Sequence, residues 1–179
     1  MPWKHALREL ALVVVTLGLW RADAALRGEP GLAPVAVAIS AGIMAAVCGY
    51  LAHEWGHLLG AVASRSVVHL GSPLRAVFLF RFDPDRNGRA HFLAMSWGGF
   101  AASAVVIALY LAVLPPGALS TRIALGLVGL GLVATAVLEV PAAWRVHRGA
   151  PLPRGAAYAS QPPPADHPDR DRPGAPSHP

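Results

Sequence analysis

The fold of this protein is decided by residues 34–64, which read PVAVAISAGIMAAVCGYLAHEWGHLLGAVAS. The first nineteen residues of this stretch carry no charge, and an HExxH pattern follows them within the same apolar run. An uncharged helix of that length crosses most of the ~30 Å hydrocarbon core of a bilayer. The stretch therefore predicts a membrane-spanning helix that carries a polar group towards one end.

The composition of the whole chain agrees with a membrane protein. Of its 179 residues, 54% are hydrophobic and only 14% are charged, whereas soluble domains carry about 25% charged residues. The single cysteine excludes a disulfide scaffold, and the long apolar runs exclude disorder of the whole chain. The net charge of +5 comes from scattered arginines without interleaved aromatic residues, so we expect no nucleic-acid partner.

Three further apolar runs predict helices. We expect them over about 6–26, 92–114 and 123–144, which gives an all-α polytopic membrane protein with three to four transmembrane helices. The first run stays open between a retained helix and a cleaved signal peptide, because a basic segment precedes an apolar core of signal-peptide length. Residues 1–148 would form one membrane-embedded domain, and the proline-rich residues 149–179 a disordered cytoplasmic tail.

The segment between the second and third predicted spans indicates a short β-hairpin over about 74–95. Residues 74–82 and 89–95 are rich in β-branched and aromatic residues, and they flank a polar turn that ends in Asn87-Gly88. An Asn-Gly pair between apolar runs is a strong hairpin signal. We expect this hairpin at the cytoplasmic surface.

The distribution of basic residues predicts the orientation of the helices. With four spans, twelve of the fifteen Lys and Arg residues fall on the side that holds the N-terminus, the 65–91 loop and the C-terminal tail. The positive-inside rule places that side in the cytoplasm. We expect a multi-pass protein of a bacterial inner membrane with both termini cytoplasmic.

The chemistry of the chain is concentrated in His53-Glu54-Trp55-Gly56-His57. On a helix, His57 lies about 40° round from His53 and one turn further along, so both imidazoles can bind one metal ion. Zn²⁺ is the expected cofactor. Glu54 would lie beside the open coordination position of the ion and would move protons during hydrolysis. A chance match at a polar helix end is the alternative, but an ionised side chain in a bilayer costs roughly 2.5 to 3.5 kcal/mol and so needs a partner or a function.

An HExxH inside a membrane helix resembles the site-2 protease family of intramembrane zinc metalloproteases over about residues 45–143. In that family a Gly-Pro-x-x-Asn stretch follows the β-rich loop, and here Gly99-Phe100-Ala101-Ala102-Ser103 stands in its place. The resemblance implies that Gly98, Gly99 and Ser103 lie where substrate binds, while close helix packing is the plainer explanation of the two glycines. The family's third zinc ligand, an Asp in a Leu-Asp-Gly motif, is absent from this chain.

Glu139 is the candidate for the missing third ligand. It is the only acid besides Glu54 within the last three apolar runs, and its depth along the fourth helix matches that of His53. Pairing of Glu139 with Arg145 or with a polar group of another helix is the alternative. Rival ligands in the chain, each better explained as a solvated group, are His69, His91, Asp83 and Asp85, and His147 lies too far along the helix.

The sequence as a whole predicts a zinc-dependent endopeptidase that hydrolyses peptide bonds in or near transmembrane segments of a protein substrate. The first alternative is a non-catalytic membrane protein of the same fold that serves as a metal-binding or scaffold module. A metal transporter is a weaker third possibility, because transport would require intramembrane ligands on more helices.

Overall fold

The computed structural model describes residues 3–71 and 78–154, and most of them are helical. The fourth long helix is continuous from Leu119 to His147, but it contains one π-helical turn. In chain order the elements are α1 (Trp3–Leu26), α2 (Leu32–Ala63), β1 (Val68–Leu70), β2 (Phe80–Phe82), α3 (Arg89–Val113), α4 (Leu119–Ala134), the π-turn (Thr135–Glu139) and α5 (Val140–His147).

Within the described residues, three helices are long and apolar enough to cross a membrane: α2, α3 and the helix that runs from α4 through α5. Many of the large side chains that they expose are aliphatic, such as Val105, Leu130 and Val133. An exterior of this kind is expected where lipid, rather than water, surrounds a protein. The expectation of an α-helical protein with at least three candidate spans is confirmed, and the exterior indicates association with a membrane.

Helix α2 lies at the centre and contacts α1, α3 and α4. Its contact with α3 is close because small residues face one another at Gly56 and Gly60 on α2 and at Ala94, Gly98 and Ala102 on α3. A Cβ atom added at Gly98 would overlap the backbone carbonyl of Gly56. Small residues at four-residue spacing allow the backbones of membrane helices to approach in this way.

Helix α1 turns its polar residues inward and its apolar residues outward. Its buried side chains are those of His5, Glu9, Thr16 and Asp23, whereas Leu10 is one of several exposed leucines and valines. This is the inverse of an amphipathic helix in a soluble protein. The polar face of α1 is therefore the face that packs on the rest of the molecule.

Glu9, Thr16 and Asp23 on that face each have a partner in another helix. The Trp55 indole N–H donates to Glu9, and the Thr16 hydroxyl lies 3.2 Å from the Cys48 sulfur. Near the other end of α1, the Ser120 hydroxyl donates to Asp23 over 2.8 Å. These contacts connect α1 to α2 and α4 by hydrogen bonds rather than by apolar packing alone.

The β-hairpin is present, but its strands are not those that the sequence predicted. β1 pairs with β2 in antiparallel register, with Val68 opposite Phe82 and Leu70 opposite Phe80. The first strand therefore precedes the predicted start at residue 74. The second strand keeps only the end of the predicted segment 74–82, and residues 74–77 lie outside the described residues.

The predicted second strand over 89–95 is wrong, because these residues form the first two turns of α3. The Asn87 side chain bonds to both backbone groups of Val67, which closes the loop before a hairpin turn could form. Gly88 then becomes the N-cap of α3, and its N–H donates to the His91 ring. The Asn87-Gly88 pair therefore precedes the first turn of α3 and does not form the turn of a hairpin.

A small apolar core joins the hairpin to the ends of three helices. Phe82 packs edge to face on Phe92, with ring centroids 5.9 Å apart. Phe80, Met95 and Val146 are buried in the same cluster. This core holds β2 against the region where α2 and α5 meet. Of the predicted disordered tail, residues 155–179 lie outside the described residues.

Gly98→Val should destabilise the protein, because the added methyl groups would separate α2 from α3. Overpacking of this kind typically costs about 1–3 kcal/mol. Gly126→Val is the matched control, since a Cβ at Gly126 would meet nothing within 4 Å. Thermal unfolding in detergent should show a lower midpoint for Gly98→Val only. Equal midpoints for the two variants would contradict the close α2–α3 contact.

Candidate metal centre

Three side chains from two helices converge on one point. His53 and His57, one turn apart on α2, place their Nε2 atoms 3.0 Å from each other. The carboxylate of Glu139, the last residue of the π-turn, lies 3.4 Å from His53 Nε2 and 3.2 Å from His57 Nε2. Both histidines are buried, and Glu139 is partly buried. The structure thus brings together the three residues that the sequence nominated as metal ligands.

The outer nitrogens of the two imidazoles fix where their protons are. His57 Nδ1 lies 3.0 Å from the Met95 carbonyl oxygen, and His53 Nδ1 lies 3.2 Å from that of Gly99. A carbonyl oxygen can only accept, so each Nδ1 carries the proton and donates it. In the neutral rings both Nε2 atoms therefore present lone pairs towards each other and towards the carboxylate. These three lone-pair groups could bind one metal ion placed between them.

The spacing of these atoms fits a tetrahedral zinc ion. Zinc binds imidazole nitrogen and carboxylate oxygen at about 2.0–2.1 Å, which puts neighbouring ligand atoms about 3.3–3.4 Å apart. The three separations of 3.0, 3.2 and 3.4 Å are close to that value. Two histidines and one carboxylate would leave the fourth position open, which is the pattern of catalytic rather than structural zinc sites.

The π-turn is the local feature that carries Glu139. Within it the Val140 N–H donates to the Thr135 carbonyl, five residues earlier, instead of four. Pro141 follows and has no N–H to continue the regular ladder. A π-turn inserts an extra residue into a helix and is frequent at functional sites. The helix is continuous through this widened turn.

Glu54 lies next to the three converging side chains but is not one of them. Its Oε2 accepts a hydrogen bond from the Leu79 backbone N–H over 3.2 Å, and its carboxylate also bonds to Tyr50. A cavity of about 60 Å³ reaches Glu54, His57 and Glu139 together. Since a water needs about 10–15 Å³ of such space, the cavity has room for water between Glu54 and the metal position.

The residues nominated for substrate binding lie beside the histidines. The Ser103 hydroxyl is 2.8 Å from His53 Nδ1 and therefore shares that proton with the Gly99 carbonyl. Gly99 lies beneath the His57 ring, because an added Cβ would come within 2.5 Å of both ring nitrogens. Gly98 lies in the α2–α3 contact. In this structure all three residues support the histidines and the helix packing.

The rival ligands lie elsewhere. His69 is 3.5 Å from Asp83 on the exposed side of the hairpin, and Asp85 pairs with Arg154. His91 accepts the Gly88 N–H, and His147 stacks on Trp144. The described contacts of Glu139 are with the two histidines and not with Arg145.

Sequence reasoning missed four groups around the site. Tyr50 lies one turn before Glu54 on α2, and this four-residue spacing was the available signal. The other three groups are backbone groups, namely the Met95 and Gly99 carbonyls and the Leu79 amide. Every residue has such groups, so the residue types gave no signal for them. Their position depends on how α3 and the hairpin pack on α2.

No family model, curated protein or solved structure matches this chain. The resemblance to site-2 proteases therefore remains a hypothesis that rests on the HEWGH motif and its setting.

The purified protein should hold about one zinc ion per chain, and His53→Ala or Glu139→Ala should lose most of it, because each removes one of three ligands. Ser103→Ala should weaken zinc binding about tenfold, since it removes a hydrogen bond that orients His53. Metal analysis after dialysis against a chelator measures both effects.

His69→Ala is the control, because the His69 side chain is exposed and pairs with Asp83 instead of with the three ligands. Its zinc content should equal that of the parent. Zinc retained by Glu139→Ala as tightly as by the parent would contradict the role of Glu139.

Proposed function

We propose that this protein is a zinc-dependent intramembrane endopeptidase of the site-2 protease type. The observation that carries the proposal is the convergence of His53, His57 and Glu139 beside a separate acid, Glu54, in a helix long enough to span a membrane. Two imidazoles, one carboxylate and a nearby non-ligand carboxylate are what metal-assisted hydrolysis of a peptide bond requires.

The residues of the chain divide this chemistry among them. Zinc, when bound, supplies a Lewis acid that polarises the substrate carbonyl and acidifies water. Glu54 takes the proton from the attacking water and passes it to the departing amine. His53 and His57 are held as neutral ligands by the Gly99 and Met95 carbonyls. Glu139 brings a negative charge that offsets part of the +2 charge in apolar surroundings.

Substrate must reach this site in extended form, because the carbonyls of a transmembrane helix are bonded internally. Strand β2 lies next to the site, since Phe80 and Phe82 line the same 60 Å³ cavity as Glu54. An unwound segment of the substrate would add as a strand to this hairpin and so receive backbone hydrogen bonds next to the site.

We further propose that α1 is a retained fourth span of a bacterial inner-membrane protein, with both termini and the hairpin cytoplasmic. The support is that α1 buries Glu9 against Trp55 of the HEWGH motif and Asp23 against Ser120. Removal of α1 would leave these partners without their bonds inside the protein. The distribution of Lys and Arg supports the orientation.

A non-catalytic metal-binding protein is the second candidate. It is favoured by the hydrogen bonds of Glu54 to the Leu79 amide and to Tyr50. A buried carboxylate with these partners is satisfied without taking part in a reaction. The two candidates agree on metal binding and differ on Glu54 alone.

Glu54→Gln should therefore keep zinc and lose proteolysis. The amide preserves the size of the side chain but cannot accept a proton from water, so the rate should fall about 10²–10⁴-fold. Synthetic transmembrane peptides with a central Asn-Gly break, incubated with the detergent-solubilised protein and analysed by mass spectrometry, measure the cleavage.

Asp85→Asn, which makes the same change at an exposed carboxylate, should leave both zinc content and cleavage unaltered. Cleavage by Glu54→Gln at the parental rate would exclude the proposed proton transfer. Absence of cleavage by the zinc-loaded parent would favour the non-catalytic candidate.

The orientation can be tested with single cysteines in a Cys48→Ser background. Gly117→Cys, in the exposed turn between α3 and α4, should react with a membrane-impermeant maleimide on intact cells. Arg86→Cys, exposed beside the hairpin, should react only after lysis. A tag fused before residue 1 should remain on the protein if α1 is retained. The reverse labelling pattern, or loss of the tag, would contradict the arrangement.

A further inference from the structure

A second cavity of about 220 Å³ adjoins the metal centre within the helical part of the protein. His53, Glu54 and Glu139 form one end of it, and the rest extends between α2, α3 and α4. Its other walls are mainly small or aliphatic, and they include Gly49, Val106, Leu127, Val128, Gly131 and Leu132.

We infer that this cavity is the subsite for one large apolar side chain of the substrate, next to the bond that is cut. The inference rests on the proposed function and adds a side-chain preference to it. The cavity opens directly onto Glu54 and Glu139, so a side chain that fills it belongs to a residue whose backbone lies at the reacting position.

The size of the cavity selects the occupant. A cavity of about 150 Å³ with apolar walls accommodates a benzene molecule, so about 220 Å³ accepts the side chain of Phe or Leu. An Ala side chain would leave most of the space without contacts. Because lipid is as apolar as Leu, the preference arises from dispersion contacts in a shaped cavity rather than from removal of water.

The charge of the walls excludes other occupants. Among the described residues that line the cavity, the acids are Glu54 and Glu139, and no Lys or Arg is present. An Asp or Glu side chain would be desolvated there with no Lys or Arg to pair with, and the +2 charge of a bound zinc ion would already be offset by Glu139 and Glu54. The cavity therefore discriminates against acidic residues at the same substrate position.

Gly131 is the position on α4 at which the cavity can be probed by substitution. It lies on the exposed side of α4 and also lines the cavity, so the cavity reaches the surface there. A Cβ added at Gly131 would meet no other residue within 4 Å, and the same holds for Gly126, which does not line the cavity. A larger residue at position 131 would therefore occupy part of the cavity. The same substitution at Gly126 is a control that is equally free of clashes and lies outside the cavity.

The test uses synthetic transmembrane peptides that are identical except for Phe, Leu, Ala or Asp at one position scanned through the cleaved region. The parent should cut beside Phe or Leu on the order of tenfold faster than beside Ala, and should not cut beside Asp. Gly131→Leu should remove or invert the preference for Phe over Ala, whereas Gly126→Leu should keep it. Gly131→Ala, the milder change, should lower the preference partially.

The subsite can also be probed without cleavage. 3-Phenylpropanohydroxamic acid should bind the zinc-loaded parent about tenfold more tightly than acetohydroxamic acid, because only its ring fills the cavity. Gly131→Leu should abolish that difference, and Gly126→Leu should not. If the parent cuts no peptide but shows this difference, the proposed function and the substrate subsite both fail, and only an apolar ligand cavity beside the metal remains. Cleavage without side-chain preference, or equal binding of the two hydroxamates, would overturn the subsite.

Discussion

The structure depends on the meeting of three lone-pair groups, His53 Nε2, His57 Nε2 and a Glu139 oxygen, within an apolar helical assembly. With both Nε2 atoms unprotonated and no cation between them, these groups would repel one another at separations of 3.0–3.4 Å. With a zinc ion between them the same separations are those of a tetrahedral site. Most other features of the protein can be understood as holding these groups in place.

Helix α2 supplies two of the groups and is surrounded on several sides. The close approach of α3, made possible by Gly56 and Gly98, brings the carbonyls of Met95 and Gly99 to the two imidazoles. The same helix contact therefore sets both the packing and the tautomers of the ligands. The third group depends on the π-turn, which carries Glu139 towards α2.

Helix α1 contributes to this arrangement through its contact with α2. Its Glu9 accepts a hydrogen bond from the Trp55 indole N–H. The side chain at the first variable position of the HExxH motif is therefore held by α1. The inward polar face of α1 also explains why its uncharged run is short. It was this short run that made the sequence similar to a signal peptide. Glu9 and Asp23, the two acids of α1, both make contacts inside the molecule.

Much of this could be predicted from the sequence, and the reasons for success and failure are local. The spacing of His53 and His57 and the depth of Glu139 required only helix geometry, so the candidate ligands were found. The strand predicted over 89–95 failed because Asn87 bonds to Val67, twenty residues earlier, and this contact lies beyond any local pattern. The position of the Leu79 amide beside Glu54 and the 220 Å³ cavity both result from packing between elements, so no sequence motif predicts them.

The central claim is that His53, His57 and Glu139 hold a catalytic zinc ion. X-ray absorption spectroscopy at the zinc edge of the purified protein tests it most directly. The account predicts a four-coordinate ion with two imidazole nitrogens and oxygen ligands at about 2.0–2.1 Å. A sulfur ligand at about 2.3 Å, a six-coordinate oxygen shell, or the absence of imidazole scattering would contradict it.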